Sequence, residues 1–286
     1  MSLQNSNPVH PPVEGVGLSF KPDFFEAIND LSRPDIWFEV HTENYCAVGG
    51  PRKQLLTQLA ERFPVSFHGV GGSLGSQSHD LTHHLTLVSN LVKQVNPALV
   101  SEHVAWSVRE QEYFADLLPI RRTEAAITTL VDNIDRYQSA IGRPILIENP
   151  THYVDLSHDV AEPDFLEEVA KRSGCGLLLD ITNLYLSEVN CGVSASQFID
   201  QIPAHLVGEI HVAGFDRDPG LQGRLIDSHS QPVPLCVQEL LGAAYKKWGS
   251  KPTLLERDAN LPVFSDLLRE SEQLKRIMQE HNQNVA

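Results

Sequence analysis

Residues 174–185 read GCGLLLDITNLY. Within them, Gly176–Leu179 is an unbroken apolar run of the length expected for a strand buried on both faces. The run ends abruptly in an acid, Asp180, with Asn183 one turn further on, and a helical pattern over 162–173 precedes it. A helix, a fully buried strand and a polar strand end form one repeat of a parallel α/β fold.

The same repeat recurs on both sides. Apolar runs lie at Val16–Phe20, Ile36–Val40, Val65–His68, Leu99–Val104, Ile145–Glu148, Leu206–Val212 and Thr253–Glu256. Helical spacing is read over 22–31, 51–62, 79–94, 122–140, 194–201, 235–247 and 262–280. Pro64, Pro97, Pro144 and Pro252 punctuate strand starts. Eight strands alternating with eight helices predict an α/β fold of the (β/α)8 TIM-barrel type, and 286 residues suit one such domain. The expected boundaries are a flexible N-terminal tail at 1–13, a barrel over 14–280 and a short C-terminal tail at 281–286. A doubly wound open sheet would need a Gly-rich phosphate turn after an early strand, and Leu18-Ser19-Phe20-Lys21-Pro22 offers none.

The net charge of −15 opposes approach to a phosphate backbone, which argues against nucleic acid or an anionic membrane surface as partner. No apolar run approaches the ~20 residues of a membrane span. Cys46, Cys175, Cys191 and Cys236 show no C-x-x-C spacing, so neither a zinc ribbon nor a disulfide framework is indicated. With no basic or apolar signal segment in MSLQNSNPVHPP, the expected location is cytoplasmic.

The strand ends carry the chemistry. Strand three ends in His68, strand four in His103, strand five in Glu148-Asn149, strand six in Asp180, strand seven in His211 and strand eight in Glu256. The loop after strand seven adds Asp227 and His229. Because side chains alternate along a strand, the last polar residue of each can turn inward, and all then meet at the C-terminal mouth where such barrels keep their active sites. Glu148, Asp180, Asp227 and Glu256 would place four carboxylates in one mouth. Two bare charges ~5 Å apart at an effective dielectric of ~20 repel by about 3 kcal/mol, so six such pairs need a neutraliser. Arg257, next to Glu256, should face away. Four carboxylates, the imidazoles of His68, His103, His211 and His229 and the amides of Asn149 and Asn183 suit two or three metal ions. Without a cysteine in the set, iron, manganese and zinc all remain open.

Other residues give weaker readings. His79 and His83 have i, i+4 spacing near a helix start but no third ligand, so a solvated surface is favoured. Glu102 and Glu209 evoke the carboxylate pair of barrel glycosidases, but Glu102 has the opposite parity to His103 and should point outward. Lys21 follows a strand end, as a Schiff-base lysine would. The glycine-rich Gly69–Gly75 reads as a substrate loop beside His68, with an anion nest as the alternative. Glu43, Asn44, Tyr45 and Trp106 follow strand ends and are candidates for substrate contact or rim packing.

The segments WFEVHTENY (37–45), SFHGVGGSLG (66–75), SEHVAW (101–106), IENP (147–150), LDITNLY (179–185), EIHVAGF (209–215), DSHSQPVP (227–234) and LERD (255–258) occur in this order along the chain. Together they resemble domain-of-unknown-function family 692, also catalogued as uncharacterised protein family 0276, whose studied members include the methanobactin-biosynthesis iron oxidase. The resemblance implies a xylose-isomerase-like TIM barrel holding two or three non-haem iron ions, with zinc or manganese as occasional occupants. It implies O2-dependent oxidative modification of cysteine in a ribosomally made precursor peptide, often with a small recruiting partner protein, and leaves a homodimer open. Carried over, it marks His68, His103, Glu148, Asn149, Asp180, Asn183, His211, Asp227, His229 and Glu256 as the metal shell, with Glu148, Asp180 and His229 closest to the chemistry and Glu43, Asn44 and Trp106 near the substrate. The family usually has Gly after the Asp-x-His, where this chain has Ser230. The rival readings are a metal-dependent hydrolase or isomerase of the endonuclease-four-like barrel kind, and a non-catalytic barrel that sequesters metal.

Overall fold

A computed structural model describes residues 13–32, 35–47, 49–77, 80–109, 112–221 and 223–282. Most of the expected tail at 1–13, residues 283–286 of the C-terminal one and His79 lie outside the described residues. The strands are β1 (Val16–Ser19), β2 (Phe38–His41), β3 (Val65–Gly69), β4 (Val100–His103), β5 (Trp106–Arg109), β6 (Glu112–Leu118), β7 (Leu146–Glu148), β8 (Gly176–Asp180), β9 (Val207–Ala213), β10 (Asp216–Asp218), β11 (Arg224–Ile226) and β12 (Thr253–Glu256). The helices are α1 (Phe25–Asn29), α2 (Pro51–Ala60), α3 (Thr82–Val95), α4 (Glu124–Ile141), α5 (Glu162–Ser173), α6 (Ile181–Cys191), α7 (Ala195–Gln201), α8 (Leu235–Trp248) and α9 (Phe264–Asn282).

Eight of the strands close into a barrel in the order β1-β12-β9-β8-β7-β4-β3-β2, and the barrel pairings are parallel. The expected single-domain (β/α)8 barrel is therefore what forms. All eight expected strands are present, each shifted by no more than two residues at an end. Two antiparallel hairpins, β5–β6 and β10–β11, stand outside the barrel at its C-terminal side. The sequence reading did not foresee them, nor α6. That helix starts where Asp180, still part of β8, accepts a bond from the Asn183 N–H and caps it. No described helix is long and apolar enough to cross a membrane.

The barrel interior is layered. At its floor Trp37 is buried, and a Cβ on Gly17 would lie 2.3 Å from the indole. Only glycine lets the β1 backbone approach that ring so closely. Leu146 fills the opposite side, where Gly176 and Gly208 leave room for its methyl groups. Above the apolar floor the interior turns polar. Buried Glu39, Ser66, Ser101 and Glu209 come first, and two residues further along the same strands stand His41, His68, His103 and His211. Period-two alternation thus sends each strand's apolar start to the floor and its polar end to the mouth.

Gly17→Ala should destabilise the protein by about 1–3 kcal/mol, because the added methyl forces Trp37 off its position in a filled floor. Urea unfolding of the variant against wild type measures it, and an unchanged midpoint would contradict the close packing.

Candidate metal centre at the barrel mouth

The strand ends converge. The Glu148 carboxylate lies between two imidazoles, with its Oε2 3.1 Å from both His68 Nε2 and His103 Nε2. The His68 ring centre is 4.5 Å from that of His103 and 5.1 Å from that of His211. Across the mouth, His211 Nδ1 is 3.4 Å from Glu256 Oε1, and Glu256 Oε2 is 3.8 Å from His229 Nε2. Asp227 Oδ1 approaches His229 Nε2 to 2.8 Å. Ligand-type atoms fall into overlapping trios spaced as a metal ion would need: His68, Glu148 and His211; Glu39, His211 and Glu256; and Asp180, His229 and Glu256. His211 and Glu256 each belong to two trios, so the arrangement suits neighbouring ions rather than isolated ones.

Donor atoms are left over. Glu148 Oε2, Asp180 Oδ2, both His211 ring nitrogens, Asp227 Oδ1 and His229 Nε2 are buried without a hydrogen-bond partner among the described residues. Buried polar atoms without partners are costly, and several meeting in one place fit a site built for cations. The electrostatics agree. Burial, then Asp227, Glu148 and Glu256, drives the Asp180 carboxyl well above the usual carboxylate range. Burial alone would lower His68, but Glu148 overrides it and lifts the imidazole to about 10. His211 and His229 are likewise raised against the pull of burial, with Glu256 as the leading cause. Burial would raise Glu148, yet His103 and His68 hold it down at about 2. Without metal, protons must stand in for the missing positive charge.

Three of the mouth histidines have Nδ1 held by a neighbouring group. His68 Nδ1 meets Ser101 Oγ at 2.7 Å, His103 Nδ1 meets the Gly69 carbonyl at 2.9 Å, and His229 Nδ1 faces Asp258 Oδ2 at 3.2 Å. Such anchors fix ring orientation and choose which nitrogen can bind metal. Asp258 is itself held by Lys21 at 2.5 Å, which gives that lysine a partner in place of a Schiff-base role. Asp258 and His41, whose ring lies 6.1 Å from that of His68, belong to the mouth although sequence reading did not single them out.

The two amides serve the backbone here. Asn149 Oδ1 accepts from Asp180 N–H at 2.9 Å while its Nδ2 donates to the Asp180 carbonyl at 3.1 Å. Asn183 Nδ2 donates to the Asn149 carbonyl at 3.1 Å, with Glu148 Oε1 3.4 Å away, and its Oδ1 accepts from Thr151. Both amides stand at the centre and tie β7 to the start of α6. Arg257 faces away from the mouth, as expected, and binds Glu270 at 2.8 Å. Ser230 fits its loop because the left-handed turn falls one residue earlier, at His229 (φ 48°), and because its hydroxyl binds Asp216.

The glycine-rich loop is an anion nest filled by the protein itself. Val70 and Gly71 N–H donate to Glu43, and Gly72 N–H donates to Glu102. Cβ atoms on Gly69 and Gly72 would each lie 2.4 Å from the Glu102 carboxylate. Glu102 does point away from the barrel axis, yet it is 1% exposed, because the loop rather than solvent lies on that side. Burial and Glu43 push its carboxyl up to about 8. Glu43 is thereby engaged with the loop, and Asn44 is exposed beside it. Trp106, at the root of the β5–β6 hairpin, donates to the Pro119 carbonyl and packs edge-on against Phe114.

Comparison with known proteins agrees with this architecture. A UPF0276 protein of Caulobacter vibrioides is 42% identical over 255 residues, covering 89% of this chain and 91% of the relative. One from Bordetella bronchiseptica is 43% identical over 265 residues, covering 90% of each chain. Among solved structures, a xylose isomerase-like TIM barrel protein from Mycobacterium smegmatis in complex with magnesium superposes with a TM-score of 0.60 at 12% identity, over 94% of this chain and 98% of that one. Endonuclease IV from Thermus thermophilus superposes with a TM-score of 0.55 at 14% identity, over 96% and 100%. Likenesses that distant speak for the fold alone. The family model described as RiPP precursor modification enzyme MbnB/TglH/ChrH matches residues 15–279, and this chain, converging donors and all, belongs to that family.

Proposed function

We propose that the protein is a multinuclear non-haem iron enzyme that uses O2 to modify cysteine in a ribosomally synthesised precursor peptide. The observation that carries this reading is the meeting of two donor trios at one mouth, His68, Glu148 and His211 with Asp180, His229 and Glu256, His211 Nδ1 lying 3.4 Å from Glu256 Oε1, in a chain of a peptide-modifying family. Glu148, with its Oε2 3.1 Å from both His68 and His103, would hold metal together with those two imidazoles. Asp180 spends one oxygen on capping α6 and keeps the other free for the mouth. His229 and Asp227 ride on the loop after β11, more exposed than the rest at 17% and 21% of their side chains, and so form the edge that a peptide meets first. His68, His103, His211 and Glu256 complete the ion-holding set, with Asn149 and Asn183 bracing Glu148 and Asp180. Iron bound here would offer open positions to a cysteine thiolate and to O2 and would take up electrons from the substrate. The chain's own part is to bury Glu148, Asp180, His211 and Glu256 at no more than 4% exposure, which keeps bulk water from the deep end of the site. Delivery of the peptide by a small recruiting protein, in the cytoplasm, belongs to the same reading.

The rival is a metal-dependent hydrolase or isomerase, the work that other barrels of this shape carry out. A net charge of −15 speaks against a nucleic-acid substrate. Anaerobic loading with Fe2+, metal analysis, and O2 uptake with a cysteine-containing peptide encoded beside the gene separate the two. Iron retention and peptide-dependent O2 consumption are expected; a colourless zinc protein indifferent to O2 would favour the rival. Glu148→Ala and Asp180→Ala should each lose at least one metal equivalent per chain, and full metal content in both would contradict the site.

The protonation pattern gives a second expectation. His68 has a folded pKa of about 10 against an ordinary 6.5, so its contribution to stability is complete below 6.5 and is lost as pH climbs toward 10. The raised His211, His229 and Asp180 act in the same direction. Chelator-stripped protein should therefore melt at falling temperatures from pH 7 to 10, while metal-loaded protein, whose cations replace those protons, should not. Thermal scans of both forms test this, and a flat profile for the stripped form would count against it.

A further inference from the structure

Of the four histidines in the ion-holding set, three have an evident partner for Nδ1: a serine hydroxyl, a backbone carbonyl and the Asp258 carboxylate. The fourth, His211, is fully buried, and its Nδ1 faces Glu256 at the mouth. Its Nε2 points down the barrel axis into the layer beneath, where it lies 3.4 Å from Glu39 Oε1 and 3.6 Å from Glu209 Oε1. Both glutamates are at most 2% exposed. Glu39 Oε2 and both Glu209 oxygens have no hydrogen-bond partner among the described residues. Another buried acid, Glu102, uses its oxygens on Gly72 and His103 N–H groups, whereas the Glu39–Glu209 pair has His211 in front of it.

A carboxylate pair sealed inside a barrel is costly unless something positive or hydrogen-bonding faces it. A neutral imidazole has one N–H and one lone pair, so an acceptor below one nitrogen commits the other to act as ligand. We infer that Glu39 and Glu209 are positioning residues for His211: they take its Nε2–H from below and leave Nδ1 as the atom offered to a metal at the mouth. This rests on the mouth being a metal site and is independent of whether the metal is iron or the reaction an oxidation. Parity in the strands supports it. Glu209 precedes His211 by two residues on β9 and Glu39 precedes His41 by two on β2, so both acids face inward one layer below the mouth.

The test uses Co2+ alone on the full, metal-stripped chain, read by visible absorption and by bound equivalents. Glu39→Gln and Glu209→Gln keep side-chain size, and each should weaken Co2+ binding by roughly 10–100-fold, the usual range for losing such an anchor, with far-UV circular dichroism unchanged. In a His211→Asn background the same changes should add no further loss, because the acids act only through that ring. Zn2+-loaded protein with 15N-labelled histidine should show metal on Nδ1 and the proton on Nε2 of His211, assigned by the signals that vanish in His211→Asn. Undiminished Co2+ affinity in both Gln variants, equal losses with and without His211, or zinc on Nε2 would overturn the inference. So would loss of one whole Co2+ equivalent with the rest bound as tightly as before, since the acids would then be ligands themselves. Wild-type protein that binds no Co2+ or Zn2+ would instead defeat the metal reading of the mouth, and this inference with it.

Discussion

The structure turns on one electrostatic constraint: acids and imidazoles are packed at one end of a closed barrel, most of them buried. Glu148, Asp180 and Glu256 are each no more than 3% exposed, and Glu39 and Glu209 lie just beneath them. Charges confined this way repel strongly at low effective dielectric. Among the described residues no buried lysine or arginine offsets them at the mouth; Arg257 turns outward and Lys21 binds Asp258. In the absence of metal the balance falls to protons, which is why His68, His211, His229 and Asp180 are all shifted toward their protonated forms. A donor set that is tolerable only when protons or cations occupy it is also one with high affinity for cations.

Holding those donors in register is the task of the surrounding shell. The rings of His68, His103 and His229 are tethered by one nitrogen, and the tethers come from different kinds of structure: Ser101 on a neighbouring strand, a carbonyl at the end of β3, and Asp258 just past β12. The glycine loop extends the same logic outward. Its N–H groups clasp Glu43 and Glu102, while Ser73 Oγ accepts from Ser107 and Val108 N–H and so fastens the β5–β6 hairpin to it. The hairpin that walls the mouth is therefore tied through the loop to the strand that carries His103. A shift at either end would be felt at the other, since the loop glycines leave no slack against the Glu102 carboxylate.

The barrel was legible in the sequence because strands buried on both faces leave continuous apolar runs, and because the runs of strands three to eight stop at or beside a residue that could not be buried without a purpose. The lower acid layer was harder to see. Glu39 and Glu209 lie inside runs rather than at their ends, and only counting back two residues from His41 and His211 places them on the inward face. The opposite parity of Glu102 was correctly read as outward, but nothing local says that a glycine loop, rather than water, lies there. The glycine stretch taken alone reads as a substrate loop; its partners, Glu43 and Glu102, come from two other strand ends, and pairing across the fold is invisible to a local pattern. Helix α6 escaped notice because Asp180 both ends a strand and caps a helix, leaving no turn between them.

Barrels of this shape with 12–14% identity to the chain include a magnesium-bound protein and an endonuclease, so the scaffold alone does not choose the reaction. What is particular here is how donors are distributed with depth. His68, Glu148, Asp180, His211 and Glu256 on the strands are sealed, whereas Asp227 and His229 sit on a loop that solvent reaches, with His229 in a left-handed conformation that aims its ring back at Glu256. In the proposed function the buried inner set would fix where cations sit, and the more accessible outer pair would be the part that an arriving side chain approaches. A short reactive side chain on an extended peptide could reach such a rim more readily than a bulky, highly charged polymer could enter the mouth. The same depth ordering makes the sealed floor of Glu39 and Glu209 a matter of orientation rather than of substrate contact, since a molecule at the rim is separated from it by the whole plane of imidazoles.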